Sequence, residues 1–429
     1  MDGSGRVRRL PATSVWHVYT PLAIEHGAVN LGLSALWSLS SSRGLTVSLS
    51  LWAGQGFPDG DPPEFVQQAA CDAIQDGANQ YARGAGSMAL VSVVAERASA
   101  DLGRVVDPIA EVLVCNGCTG ALFATFQALL DDGDEVVVFE PLFDVYVGQI
   151  QMAGGVIVPV PLAVDAAGDW RFDVDLLGAA CSDRTRAIVV NNPHNPTGKV
   201  FRRAELDRIA DVVRCRPRIV VVVDEVYEHL VYDGCEHVRF ASLPGMWDRT
   251  LTLSSAGKTF SVTGWKIGWC IGPRPLVAAV HAAQTFVVFS VCTPLQAAVA
   301  ESLARAGAPY DGHPSYFVHL RRAYERKRDA LLAHLRAAGF TPYTPSGSFF
   351  VVADCGRVRP PAQYGPGDWA LARFLTVEVG VACIPMSAFR LHGDDVGRGS
   401  TLLRFAFCKS DEALAEAGRR LLAWRRAFV

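Results

Sequence analysis

The sequence predicts an α/β protein: a large domain with a mainly parallel sheet of seven strands flanked by helices, and a smaller α+β domain. From Glu111 onward, short apolar runs alternate with helical patterns, as in sheets whose strands are joined by crossover helices. After Pro294 the pattern becomes helical, and short strands return only near the end of the chain. We therefore place an N-terminal arm at 1–60, the large domain at 61–308 and the small domain at 309–429.

The N-terminal arm contains one amphipathic stretch, at 14–32, and then a cluster of turn residues. Trp16 lies in that stretch, where it either packs against the core or lines a substrate pocket. The turn at 54–59, Gly-Gln-Gly-Phe-Pro-Asp, lets backbone approach a ligand closely at its glycines, one of which is Gly56. Prolines and acidic residues at 61–64 predict the start of a helix.

Seven apolar runs are the strand candidates of the large domain. Several of them lack polar alternation, which predicts that helices cover both faces of the sheet. The strands are expected at 112–115, 135–139, 156–159, 187–190, 219–223, 250–253 and 268–271. Long helices are expected at 88–102 and 316–338, and the strands of the small domain at 349–353, 381–384 and 402–407.

Composition narrows the class of protein. Half of the 429 residues are apolar, enough for a sizeable core, and the net charge of −3 without a basic stripe argues against a nucleic-acid partner. The 11 scattered cysteines are typical of reduced thiols in a cytoplasmic enzyme, with a mitochondrial location as the alternative. Cys115 and Cys118 have metal-type spacing but no second pair, so no metal site is predicted. The apolar segment 31–53 is interrupted by Arg43 and serines, which argues against a membrane span.

Lys258 lies among small residues just after the apolar run 250–253, so a strand can deliver its amine to a tight, mostly apolar turn. A lysine in that position can have a lowered pKa and form a Schiff base, although a lone lysine in a turn is more often a surface residue. Ser255 and Lys266 could hold a phosphate while Lys258 holds an aldehyde carbon. Pyridoxal phosphate needs this combination of anchors.

Three further motifs each follow a predicted strand. The segment 117–120, Gly-Cys-Thr-Gly, opens a helix whose amides can meet a phosphate. In Asn-Asn-Pro-His-Asn-Pro-Thr-Gly, Asn195 could donate to a phenolic oxygen of a cofactor, or the segment could be an ordinary Asx-turn loop. Asp224 ends a buried strand, where it would either pair with a protonated pyridine nitrogen or cap a helix. Tyr227 could share the phenolic oxygen with Asn195.

Together these motifs resemble the fold-type I aminotransferases, which use pyridoxal phosphate. The chain is most similar to the group of kynurenine aminotransferase, glutamine transaminase K and cysteine-S-conjugate β-lyase, through Gly-Gln-Gly-Phe-Pro-Asp, Glu-Pro-Leu-Phe-Asp, Ser-Leu-Pro-Gly-Met-Trp-Asp-Arg-Thr-Leu and the segment around Lys258. The similarity spans nearly everything from Ser14 to the C-terminus. It implies a homodimer that moves the amino group of a large neutral or aromatic L-amino acid (kynurenine, glutamine or phenylalanine) to a 2-oxo acid, with β-lyase activity on cysteine S-conjugates as a side reaction.

The resemblance also implies roles for single residues. Lys258 would carry the cofactor and move the proton at the substrate Cα, and Phe143 would stack on the pyridine ring. Tyr81 would reach in from the second subunit, and Arg404 would bind the substrate α-carboxylate with its planar fork. The other cofactor-binding residues would be Gly117, Cys118, Thr119, Asn195, Asp224, Tyr227, Ser255 and Lys266. The substrate pocket would be lined by Trp16, Gly56, Asn195 and Phe289.

Two features depart from the family pattern. About twenty extra residues, at 33–53, enter beside the expected substrate pocket, and they are either a gene-model artefact or a flap over the site. Ser290 stands where relatives often place a histidine. The alternatives to the favoured function are a general aromatic or alanine-type aminotransferase, a paralogue inactivated by the insertion, and a cofactor-binding regulator, which would need a DNA-binding module.

Overall fold

The computed structural model describes residue 10 and residues 15–31, 58–358, 360–391 and 399–428. The insertion at 33–53 and Gly56, for which we predicted positions beside the substrate pocket, fall outside these described residues. Within them, no helix is both long enough and apolar enough to cross a membrane.

The described part of the N-terminal arm is a helix, α1 (Val15–Glu25), followed by a short strand, β1 (Val29–Asn30). β1 pairs in parallel with residues 381–382 near the C-terminus. The hydroxyl of Tyr19 in α1 donates to the main-chain carbonyl of Trp369 at 2.9 Å. These contacts fasten the arm to the C-terminal part of the chain.

An eight-stranded sheet forms the centre of the large domain, which confirms the predicted α/β class. Its strands are β2 (Val112–Asn116), β3 (Glu135–Glu140), β4 (Val156–Val164), β5 (Trp170–Phe172), β6 (Thr185–Asn191), β7 (Val220–Asp224), β8 (Thr250–Ser255) and β9 (Ile267–Ile271). Their spatial order is β2-β9-β8-β7-β6-β3-β4-β5. The pairs from β4 through β3, β6 and β7 to β8 are parallel, whereas β9 runs antiparallel to both β2 and β8.

All seven predicted strands form, but the sheet has one more strand than the seven that we predicted. The additional strand, β5, is three residues long and lies antiparallel to β4 at the edge of the sheet. The sequence does not mark it because Arg171 interrupts its two aromatic residues and leaves no apolar run.

Helices cover both faces of this sheet. They are α2 (Glu64–Gln75), α3 (Met88–Leu102), α4 (Gly117–Leu129), α5 (Val145–Met152), α6 (Val174–Ala180), α7 (Arg203–Arg214), α8 (Ala256–Thr259), α9 (Arg274–Thr285) and α10 (Thr293–Arg305). Along β7, Val221 and Val223 pack into one hydrophobic core, and Val220 and Val222 pack into the other. The unbroken valine run is therefore explained by a strand that is buried on both sides.

The C-terminal region contains α11 (Tyr316–Ala337), α12 (Gly367–Phe374) and α13 (Asp411–Phe428). Its antiparallel sheet has the order β10 (Thr341–Tyr343), β11 (Phe350–Asp354), β14 (Leu402–Ala406) and β13 (Ile384–Pro385). The strand predicted at 381–384 is split, because β12 (Val381–Ala382) pairs with β1 whereas β13 pairs with β14. Short 3₁₀ turns lie at Phe240–Ser242, Trp247–Arg249, Thr263–Trp265, Ala362–Tyr364 and Met386–Phe389, and a π turn at Leu375–Val379.

The parallel strands bring polar residues to one edge of the large sheet. Asn191, Asp224 and Ser255 are the last residues of β6, β7 and β8, and Asn191 is the register partner of Asp224. Because parallel strands end at the same edge, side chains that are distant in sequence meet there.

Candidate active site

A cavity of about 420 Å³ lies at this carboxyl edge of the sheet. Its walls come from the arm, the large sheet and β14. The residues that we predicted from the sequence and that line it are Trp16, Gly117, Cys118, Thr119, Phe143, Asn195, Asp224, Tyr227, Ser255, Lys258, Lys266 and Arg404. Within the described ranges, no group of three or more His, Cys, Asp or Glu side chains is arranged to hold a metal ion.

The structure places two predicted site residues away from this cavity. Tyr81 is 81% exposed and Phe289 is 66% exposed, and their rings meet edge to face with centroids 5.2 Å apart. Neither residue lines the cavity of its own chain. The sequence assigns Tyr81 to the site of a second subunit, and Phe289 lies on the same surface beside it.

One end of the cavity is suited to an anion. Gly117 opens α4 with φ +68°, and a Cβ built on it would lie 3.1 Å from Cε and 3.2 Å from Nζ of Lys266. The ammonium group of Lys266 therefore lies beside the first turn of α4, whose backbone amides have no partner within the helix. Ser255, at the end of β8, lines the same cavity. Helix amides, a hydroxyl and an ammonium together favour a phosphate.

Asp224 forms an acidic centre in the cavity and is 3% exposed. The hydroxyl of Tyr146 donates to its Oδ2 at 2.7 Å, and the backbone N–H of Val226 donates to its Oδ1 at 3.3 Å. The thiol of Cys118 lies 3.7 Å from Oδ1. Burial raises the pKa of Asp224, and the hydrogen bond from Tyr146 offsets only part of this rise. A cation beside the carboxylate would stabilise its charged form.

Asn191 organises the loop that carries Asn195. Its Oδ1 accepts the backbone N–H of Asn195 at 2.6 Å, and its Nδ2 donates to the backbone carbonyl of Asp224 at 2.9 Å. The turn that we offered as the alternative for Asn195 is thus closed by the side chain of Asn191. The side chain of Asn195 instead contacts Arg404, whose Nη1 donates to its Oδ1 at 2.8 Å.

Arg404 lies in β14 and is 1% exposed, although it is charged. Its guanidinium carbon lies 5.3, 4.1 and 4.5 Å from the ring centroids of Trp16, Phe350 and Phe389. Its Nη1 bonds Asn195, whereas its Nε and Nη2 atoms are buried and have no hydrogen-bond partner within the part of the chain that the structure describes. Burial lowers the pKa of Arg404 to about 10. Two unpaired donors on one planar group fit a carboxylate, which can accept both.

Lys258 follows β8 in the short helix α8, as the sequence predicts for a strand that delivers an amine to a turn. Burial lowers the pKa of Lys258 to about 8. Its Nζ lies 5.3 Å from the centroid of the Phe349 ring. A buried amine with a lowered pKa can act as a nucleophile toward a carbonyl carbon and as a base.

The residues of the cavity and its surroundings that were missed in the sequence include Asp144, Tyr146, Asn191 and Phe350. Tyr146 follows Phe143 by three residues across the turn that opens α5, and the two rings meet edge to face at 5.6 Å. That spacing could have revealed Tyr146. Asp144 accepts a hydrogen bond from Trp16 Nε1 at 2.9 Å, a contact that no local pattern indicates. Phe350 is brought in only by the pairing of β11 with β14.

A second set of buried charges lies on the opposite side of the turn that holds Asp224. Glu225 and Glu228 both accept hydrogen bonds from the guanidinium of Arg239. Asp101 of α3 accepts from Arg239 Nε at 3.2 Å, and Ser254 donates to Glu228 Oε1 at 2.7 Å. Burial alone would raise the pKa of Glu228, but the charge of Arg239, two nearby histidines and the hydrogen bond from Ser254 together hold the pKa below its ordinary value. Each of these carboxylates therefore accepts a hydrogen bond from Arg239, although Glu225 Oε1 has no hydrogen-bond partner among the described residues.

Comparison with known proteins gives a consistent result along nearly the whole chain. Residues 51–421 match the family model described as aminotransferase class I and II. The chain is 40% identical to the kynurenine–oxoglutarate transaminase of Dictyostelium discoideum, with 96% of this chain and 94% of that protein covered. It is similar to the solved structure of N-succinyldiaminopimelate aminotransferase from Mycobacterium tuberculosis, with a TM-score of 0.84, 39% identity, and coverage of 98% of this chain and 100% of that one. It is also similar to the solved structure of YbdL from Escherichia coli, which has a methionine aminotransferase function. The TM-score is 0.85 and the identity is 30%, with 99% of this chain and 100% of that chain covered.

Proposed function

The chain belongs to the class I and II aminotransferases, which depend on pyridoxal phosphate, and we propose that it moves the amino group of a large neutral L-amino acid to a 2-oxo acid. The observation that carries the proposal is the buried guanidinium of Arg404, whose Nε and Nη2 lack partners in the cavity that also contains Lys258. An α-carboxylate would pair both donors and place the substrate Cα near the lysine.

The residues present fit pyridoxal phosphate. Its phosphate would be held by the first turn of α4, from Gly117 to Thr119, with Ser255 and Lys266; a side chain at position 117 would crowd Lys266 there. The pyridine nitrogen would pair with Asp224. Burial raises the pKa of this carboxylate because it destabilises the charged form, and a protonated pyridine nitrogen would stabilise that form. Phe143 would stack against the ring, and the phenolic oxygen would be bound by two further residues, Asn195 and Tyr227. When bound, the cofactor supplies an acceptor for the electrons of a bond at the substrate Cα.

The protein's own groups then hold the substrate and move its proton. Arg404 would bind the α-carboxylate and so orient the Cα–H bond toward Lys258. Because burial lowers the pKa of Lys258 to about 8, its amine can both accept and return a proton near neutral pH. The rings of Trp16 and Phe350 would exclude water from the space beside Arg404 and so strengthen the contact between its guanidinium and the substrate carboxylate.

The charges of the cavity favour a neutral substrate side chain. Among the described residues that line it, the cations are Lys258, Lys266 and Arg404, and each already has a proposed partner. Asp144 adds a negative charge. A second carboxylate on the amino donor would meet a repelling charge and no unassigned cation, which supports kynurenine, glutamine or phenylalanine over N-succinyldiaminopimelate. With a substrate that carries a β-thiolate leaving group, loss of the Cα proton and cleavage of the β-carbon–sulfur bond would give β-elimination as a side reaction.

We also propose that the active form is a homodimer. Tyr81 and Phe289 form an exposed aromatic pair, and the adjacent Phe286 is 93% exposed. Exposed clusters of large apolar side chains are typical of interaction surfaces. In a dimer, Tyr81 would reach the phosphate of the partner's cofactor, and Phe289 would line the partner's substrate pocket.

The test is a half-reaction that needs no oxo acid. The purified chain, loaded with pyridoxal phosphate, is mixed with L-kynurenine, L-glutamine or L-phenylalanine, and the visible absorption band of the bound cofactor is followed. We expect the band to convert to that of the amine form at least about tenfold faster than with L-aspartate or N-succinyl-LL-diaminopimelate, a difference of about 1.4 kcal/mol. The reason is that the second carboxylate of these two donors would meet the negative charge of Asp144. Absence of any visible band would contradict an assembled site, and faster conversion by dicarboxylic donors would contradict the substrate class.

A further inference from the structure

The carboxylate of Asp144 is an unexplained charge in the cavity wall. Asp144 immediately precedes α5, but its side chain does not cap that helix. Burial raises the pKa of Asp144, and the hydrogen bond from Trp16 and the charge of Arg404 offset only part of that rise. No role in holding the cofactor has been assigned to it, although it lines the same cavity as Phe143 and Arg404.

The two oxygens of this carboxylate differ. Oδ2 accepts the indole N–H of Trp16 at 2.9 Å, whereas Oδ1 is buried and has no hydrogen-bond partner among the described residues. A buried charged acceptor that lacks a hydrogen bond destabilises the protein. A bound ligand with an N–H group could relieve that cost.

The position of Asp144 relative to Arg404 matches an amino acid that carries such a group. Both side chains contact Trp16: its N–H bonds Asp144, and its ring centroid lies 5.3 Å from the guanidinium carbon of Arg404. The unpaired donors of Arg404 and the unpaired acceptor of Asp144 therefore belong to the wall of one cavity. A substrate with a carboxylate at one end and an N–H group near the end of its side chain could satisfy both.

We propose that Asp144 is a specificity-determining residue whose Oδ1 accepts a hydrogen bond from an N–H group on the side chain of the amino donor. This inference rests on the aminotransferase function proposed above. An ionised carboxylate only accepts hydrogen bonds, so it favours a carboxamide or an aromatic amine and rejects a carboxylate. Glutamine and kynurenine carry the required donor, phenylalanine and methionine lack it, and glutamate would bring a repelling charge.

The first experiment uses the unmodified protein and two related amino donors. L-Glutamine has a terminal N–H group, whereas the γ-methyl ester of L-glutamate keeps the γ-carbonyl, is longer by one methyl group and has no terminal donor. We expect kcat/KM for glutamine to exceed that for the ester by about tenfold or more, the effect of one hydrogen bond to a charged group. Equal values would overturn the proposal.

The second experiment compares two variants. Asp144→Asn replaces one acceptor oxygen with an NH₂ donor, so if its remaining oxygen stays on the Trp16 N–H, the other position presents a donor to the substrate N–H group. We expect it to lower the ratio of kcat/KM for L-glutamine to that for L-methionine by about tenfold. In the companion variant Trp16→Phe, which keeps Asp144 but loses the indole N–H and the second ring, we expect both values to fall together and the ratio to stay within about threefold.

The outcomes separate this inference from the function on which it rests. If Asp144 only anchors Trp16, both variants will leave the glutamine-to-methionine ratio unchanged and the inference fails, while transamination itself stands. If the unmodified protein converts no amino donor, the proposed function fails first. If Asp144→Asn does not fold or lacks the visible cofactor band, the comparison of glutamine with the ester decides the matter alone.

Discussion

The turn that follows β7 carries buried charges on two sides, and the two sides differ in how those charges are paired. On the cavity side, Asp224 and Tyr227 face a space that also contains Arg404 with two unpaired donors. On the opposite side, Glu225 and Glu228 share the guanidinium of Arg239. We refer to the second set, Glu225, Glu228, Arg239 and Asp101, as the rear network.

The difference indicates what each set of charges does. Buried charges that are paired within the protein hold the chain in place, and removing one partner leaves the other uncompensated. Buried polar groups that lack a partner in the protein alone are suited to a ligand. Changes on the cavity side should therefore affect catalysis and binding, and changes in the rear network should affect stability.

The largest expected effect is on catalysis. Lys258→Ala removes both the anchor for the cofactor and the group that moves the proton, so we expect kcat for L-kynurenine to fall by at least about 10⁴-fold and the visible cofactor band to be lost. Lys327→Ala is the control and should retain activity, because the Lys327 ammonium donates to the carbonyl of Lys409, lies 5.9 Å from the centroid of the Tyr324 ring and does not line the cavity. Transamination retained by Lys258→Ala would contradict the role of this lysine.

The largest expected effect on stability lies in the rear network. Arg239→Met leaves Glu225 and Glu228 buried without their guanidinium, so the free energy of unfolding should fall by about 3–5 kcal/mol in urea denaturation. Arg203→Met is the matched change at an exposed pair, Arg203 with Asp207, and should cost less than about 1 kcal/mol. If both variants lose the same free energy of unfolding, the rear network does not stabilise the fold more than an exposed ion pair does, and the proposed difference between the two sides of the turn is wrong.

A third prediction concerns pH and the cofactor-free protein. The pKa of Lys258 is lowered from the ordinary value of 10.5 to about 8, so between these pH values the unfolded chain binds more protons than the folded one. Stability from this group therefore rises with pH through that window, and below it the buried ammonium costs roughly 3 kcal/mol. We expect Lys258→Met to be more stable than the unmodified protein by up to that amount at pH 7, with the gain disappearing near pH 10.5. A difference that does not depend on pH would contradict the burial of a charged lysine.

The smallest of these effects concerns substrate binding alone. Arg404→Ala removes the fork for the α-carboxylate, and kcat/KM should fall by about 100-fold, mainly through KM, while the visible cofactor band persists. Arg404→Lys keeps the charge without the planar fork, so its kcat/KM should lie between those of Arg404→Ala and the unmodified protein. Loss of the cofactor band in Arg404→Ala would mean that the arginine holds the site together instead of binding substrate.

Local patterns predicted most of the fold because both kinds of element leave a clear mark. The seven predicted strands are apolar runs, and apolar residues recur at helical spacing along 316–338. The structure has this helix at Tyr316–Ala337. The short strand β5 and the break between β12 and β13 were not predicted. These strands are only two or three residues long, too short to show an alternation of apolar and polar residues. Their pairing depends on which strand lies beside them in the folded protein.

The candidate site was predictable where its residues follow strands of the parallel sheet. Lys258, Asp224 and Asn195 stand just after apolar runs, and parallel strands bring such positions to one edge. The bond from Tyr146 to Asp224 and the bond from Trp16 to Asp144 were not predictable in the same way. Their partners lie 78 and 128 residues apart, and nothing in either segment indicates the other.

The sequence by itself determined which chemical groups are available: a lysine after an apolar strand, a carboxylate at the end of another, and an arginine in the last strand. Only the tertiary structure decided which of these groups are paired. Arg404 bonds Asn195 across 209 residues and still keeps two donors unpaired, whereas Arg239 is saturated by carboxylates. The physical reason is that pairing depends on distance and burial in space, and these are set by packing between elements and not by order along the chain.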